Sequence, residues 1–261
     1  MRRQLTQAVP LRRPPVYVGV GAASDHGRGN LFVPERARGV DALQPQCRRS
    51  PDHVRPRLRG RLHAVATGLA IAALAWLVRS ATSVQATAAA WIYGVSSVLC
   101  YLTSSLYHVA ARTERTRALL RRADHSMIYV LIAGSFTPVC LLAMSGWWRW
   151  PLIGLVWSGA LVGVGLSAPA RPRLPQFGVA LYQILGWAGV TALPALAHHP
   201  GRLALVATAG LLYTGGAVLF ARQRPVLHPA WFGYHEFWHG IGIVAGTLVF
   251  VVNLSLIAAP H

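Results

Sequence analysis

Apolar residues in this chain neither alternate nor follow a narrow amphipathic stripe; they continue in long runs. Such runs occupy about residues 62–78, 86–111, 125–144, 150–168, 176–197, 203–221 and 237–258. Most approach the roughly 20 residues that a helix needs to cross a hydrocarbon core of about 30 Å. The pattern predicts an all-α, polytopic membrane protein with seven transmembrane helices in one bundle. The first run is the shortest and relies on Leu62 and His63 to reach the interface. Pro138 and Pro194 fall inside runs, which a bundle tolerates where neighbouring helices satisfy the freed carbonyls. Trp76, Trp147, Trp148, Trp150, Trp231 and Trp238 lie near predicted helix ends, as an interfacial belt requires.

Residues 1–54 break this pattern, because Pro, Gly, Arg and Ser replace the long apolar runs. They are expected to form a basic, disordered extension ahead of a membrane domain over 55–261. No apolar h-region follows the first arginines, so no cleavable signal peptide is expected. Such an arm suits anionic lipid headgroups.

Composition agrees with a membrane solvent: 54% of residues are apolar and 12% charged, against about 25% charged in soluble domains. A formal charge of +18 would ordinarily point to nucleic acid. Here 13 of the 25 arginines lie within the first 61 residues and the rest punctuate apolar runs, so no nucleic-acid partner is expected. Cys47, Cys100 and Cys140 are odd in number and widely spaced, which predicts neither a disulfide framework nor a cysteine zinc site.

The arginines also orient the bundle. The N-terminal region holds 13, the segment at 112–124 five, and Arg171, Arg173, Arg222 and Arg224 complete one side, whereas Arg79, Arg149 and Arg202 fall on the other. A split of 22 to 3 that alternates from loop to loop predicts a cytoplasmic N-terminus and a C-terminus outside. The expected location is the plasma membrane.

Ionisable residues inside spans are costly and therefore informative. On this topology His108 closes helix 2, Asp124 and His125 open helix 3, and His235, Glu236 and His239 open the last helix, all at the cytoplasmic side. His235 and His239 share a helix face one turn apart. Two such imidazoles can bind one metal, and a catalytic Zn²⁺ site takes three protein ligands with a position left for water. His108 is the natural third. Ser104 lies one turn before it, where its hydroxyl can support the site. Asp124 offers either a fourth ligand or the base. His63 and His125 are further candidates on the same side, while His198, His199, His228 and His261 suit loops or the terminus. His235-Glu236-Phe237-Trp238-His239 also matches H-E-x-x-H, with Glu236 as the base of an intramembrane metalloprotease.

Three ordered motifs resemble the hemolysin III family, the bacterial branch of the progestin and adipoQ receptor group. They are Ser104-Ser105-Leu106-Tyr107-His108; Ala123-Asp124-His125-Ser126 followed by Ile132-Ala133-Gly134-Ser135-Phe136-Thr137-Pro138; and Tyr234-His235-Glu236-Phe237-Trp238-His239. The opening Arg57-Leu58-Arg59-Gly60-Arg61-Leu62-His63 is similar too, so the resemblance covers about 55–258. It implies zinc held near the inner leaflet by His108, His235 and His239, with Asp124 and Ser104 close by. Adiponectin receptors of the same group are associated with ceramide hydrolysis, which implies a zinc-dependent hydrolase of a lipid amide or ester whose substrate enters from the bilayer. The family's name implies an alternative, a pore or membrane-stress protein whose zinc is structural.

Overall fold

Eight α-helices carry most of the residues described by the computed structural model, which are 56, 58–167, 175–228 and 230–260. They are α1 (Arg61–Ser80), α2 (Val84–Val109), α3 (Glu114–Pro138), α4 (Arg149–Ser167), α5 (Pro175–Trp187), α6 (Leu193–Leu196), α7 (Pro200–Ala221) and α8 (Tyr234–Ile257). No β-strand occurs among the described residues. The expected extension over 1–54 lies outside them.

Six helical stretches are long and apolar enough to cross a membrane: α1, α2, α3 with its continuation to Ala143, α4, α7 and α8. The seventh apolar segment is broken. α5 passes into a 3-10 turn over Ala188–Ala192 and then into the single turn of α6. Pro194 accounts for the break, since it lacks an N–H and its ring excludes the carbonyl four residues earlier. The chain is thus a polytopic helical bundle. Val65, Leu69, Trp76, Leu161 and Leu211 are each more than half exposed, a surface suited to lipid rather than water.

One predicted boundary is corrected. The pattern leaves residues 112–124 as a loop, but α3 begins at Glu114. The Thr113 hydroxyl accepts from the Thr116 N–H at 3.2 Å, and the Thr116 hydroxyl accepts from the Thr113 N–H at 3.1 Å. This reciprocal cap starts the helix early, and the arginines that follow favour helix. Asp124 and His125 therefore lie within α3, not at its start. From Glu114 to Ala143 the helix has 30 residues, about 45 Å at 1.5 Å per residue. That exceeds a hydrocarbon core of about 30 Å, which leaves the arginine-bearing turns room beyond it. After Pro138 the last turn relaxes to π geometry over Val139–Ala143. Nearby, Asn253 of α8 donates to the Ser135 carbonyl at 3.2 Å.

Small residues let the helices approach closely. α2 buries Ala86, Ala89, Ala90, Gly94, Ser96 and Ser104. A Cβ on Gly163 would collide with the ring of Tyr129, which is fully buried against Tyr182. α1, α2, α3 and α4 pack in succession, α7 packs on α8, and α8 also touches α1, α2 and α3. Its first turns accordingly meet the last turn of α2 and the first turn of α1.

Candidate metal centre

The last turn of α2 and the first two turns of α8 bring three imidazoles together. His108, His235 and His239 present donor atoms that all lie within 4.8 Å of one another. Nε2 of His235 lies 3.2 Å from Nε2 of His108. Two imidazole nitrogens at that distance share either a proton or a cation. A tetrahedral ion bound at about 2.0–2.1 Å from each nitrogen would hold them about 3.3–3.4 Å apart. The donor set and its spacing therefore fit one divalent ion.

The expected residues do not all join this group. Asp124 takes the Ser104 hydroxyl as its side-chain hydrogen-bond partner. Ser104 itself is 2% exposed. The carboxylate is thus oriented by α2 one turn from His108 and stands outside the imidazole triad. His125 is exposed, and its Nδ1 lies 2.7 Å from the Arg121 carbonyl of its own helix. His63, on the first turn of α1, reaches the cluster instead, with its ring centroid 3.9 Å from that of His239. Tyr101 and Phe220 wall the group, their centroids 5.2 Å from His63 and 5.5 Å from His235.

Glu236, the base that H-E-x-x-H would supply, makes two bonds in this structure. It is 1% exposed, and each carboxylate oxygen accepts one hydrogen bond. Arg59 Nε donates to Oε1 at 2.8 Å, and the Gly233 N–H donates to Oε2 at 2.9 Å. The second bond satisfies an amide at the start of α8; the first ties α8 to the turn before α1. Glu236 thereby fastens the start of α8 to the turn before α1.

The same turn contains features that sequence reading passes over. Arg59 counts there as one of many basic residues, and no local pattern marks its partner 177 positions away. Gly60 caps α1 with φ +80, and a Cβ on it would lie 2.5 Å from the His108 Cβ. Only glycine suits both the left-handed backbone and the contact. The Leu58 N–H reaches the Trp231 carbonyl at 3.4 Å. The turn before α1 therefore packs directly over the end of α2 and the start of α8.

The family model described as haemolysin-III related matches residues 52–251. The chain belongs to the haemolysin III family. It is 31% identical over 196 residues to the Hemolysin-3 homolog of Bacillus subtilis (strain 168), covering 72% of this chain and 87% of that protein. It is also 32% identical over 175 residues to Hemolysin-3 of Bacillus cereus, covering 65% and 80% respectively. The matched span of the haemolysin III model includes all four histidines of the cluster, His63, His108, His235 and His239.

Proposed function

We propose that this haemolysin III protein binds Zn²⁺ through His108, His235 and His239 and hydrolyses an amide or ester bond of a membrane lipid. The observation that carries the reading is the convergence of three imidazoles from α2 and α8, one nitrogen pair already at 3.2 Å. Bound zinc supplies a Lewis acid and brings the pKa of water near 7. The chain does the rest. Asp124 takes the proton of the attacking water, Ser104 aims that carboxylate, and Tyr101 and Phe220 limit bulk water. The substrate enters from lipid, since the helices around the site present apolar side chains outward. In this reading the protein lies in the plasma membrane with its N-terminus and metal site at the cytoplasmic side and its C-terminus outside. The arginine distribution supports that orientation, and a reporter fused after His261 is expected to be accessible from outside the cell.

The decisive experiment couples metal content to chemistry. Purified protein is expected to hold one zinc per chain and to release a fatty acid from a ceramide or lipid ester. Asp124→Asn is expected to retain zinc, with affinity weaker by about 10 to 100-fold, and to lose hydrolysis. A second reading draws on the name of the Bacillus cereus relative, Hemolysin-3: a membrane-lysing protein with structural zinc. Vesicle leakage that persists in Asp124→Asn, without lipid cleavage by either form, would favour it.

A further inference from the structure

His239 is buried, and its Nδ1 lies 2.9 Å from both Nδ1 and Nε2 of His63. His63 is nevertheless absent from the triad whose donor atoms lie within 4.8 Å of one another. It is a neighbour of one member, not a member itself. An imidazole that binds a metal uses one nitrogen for the ion and donates its other N–H to a partner, which fixes ring orientation and tautomer. That partner is ordinarily a carboxylate, a carbonyl or water. Here the carboxylate of Glu236 bonds to Arg59 and Gly233, and the partner at His239 Nδ1 is an imidazole.

We propose that His63 is a positioning residue of the centre, accepting the Nδ1–H of His239 and so committing His239 Nε2 to the ion. The inference rests on the zinc reading above. Because both nitrogens of His63 are equally near, a small ring rotation presents whichever one carries the lone pair. Two features hold that ring in place. Tyr101 packs against it nearly edge-on, with an interplanar angle of 69°. The Arg59–Glu236 pair anchors the turn that opens α1. The first turn of α1 thereby becomes part of the metal centre without supplying a ligand.

The test measures zinc affinity by chelator competition and records the visible spectrum of the Co²⁺-substituted protein. His63→Ala is expected to bind zinc about 10 to 100-fold more weakly, to keep one ion per chain at saturation, and to shift the Co²⁺ bands as His239 reorients. His63→Gln, whose amide oxygen accepts the same N–H, is expected to recover most of the affinity. Both metal-free variants are expected to melt as the metal-free parent does. Unchanged affinity in His63→Ala overturns the proposal, and so does a His63→Gln variant as weak as His63→Ala, which would mark the loss as one of packing. A parent protein that binds no zinc fails differently: it removes the metal reading itself.

Discussion

At one end of the bundle, four imidazoles from α1, α2 and α8 crowd within hydrogen-bonding distance of a neighbour. At the other end, His198 and His199 stand exposed in the link between α6 and α7, with His198 beside Trp148 and Thr191 at an open depression. The residue type is the same. What differs is the backbone that carries it. Helix turns at the first end fix where each Cβ points, and glycine or serine at the contacts lets neighbouring turns approach. At the second end an adjacent pair sits exposed in a link, and no group of three metal-capable side chains forms there among the described residues. Convergence depends on how many rigid elements aim at one point, and histidine count is a poor guide to it.

Removing ligands tests that contrast most strongly. A His108→Ala, His239→Ala double variant is expected to lose zinc, measured per chain by atomic absorption, and to melt at a lower temperature in detergent because bound metal stabilises the folded state. The His198→Ala, His199→Ala variant is expected to keep both properties, with stability within about 0.5 kcal/mol of the parent. Full zinc occupancy in the first variant, or loss in the second, would invert the assignment of the two ends.

A smaller effect is expected from the glycine that lets the turn before α1 sit on α2. Gly60→Ala forces a side chain into left-handed backbone, at about 1–2 kcal/mol, and into the His108 Cβ. Thermal unfolding should fall accordingly, and zinc should bind more weakly because His108 is pushed. Unchanged melting would show that the turn is not packed over the site.

The smallest metal effect is expected for Glu236→Gln. Losing the charge-assisted bond from Arg59 costs about 1.5–3 kcal/mol of stability, while one zinc per chain remains. If that variant kept full stability and zinc but lost hydrolysis, the H-E-x-x-H reading of Glu236 would be favoured over the fastening role of its two bonds.

Much of the architecture was legible because membrane burial is written locally. A run of about 20 apolar residues has few ways to satisfy its backbone in lipid other than by forming a helix, so the seven runs could be recognised without knowing their neighbours. The spacing of His235 and His239 carried their shared face in the same way. Where local signals compete, apolar pattern alone misplaces a boundary: the cap at Thr113 and Thr116 extends α3 through a stretch whose arginines look like a loop. Other features had no local signature at all. That Glu236 would accept from Arg59, that Gly60 would sit against His108, and that His63 would meet His239 all depend on which helices become neighbours. Tertiary packing alone decided those pairings, because hydrogen bonds and imidazole contacts act over a few ångströms, and only the closed bundle brings residues 48 to 177 positions apart within that range.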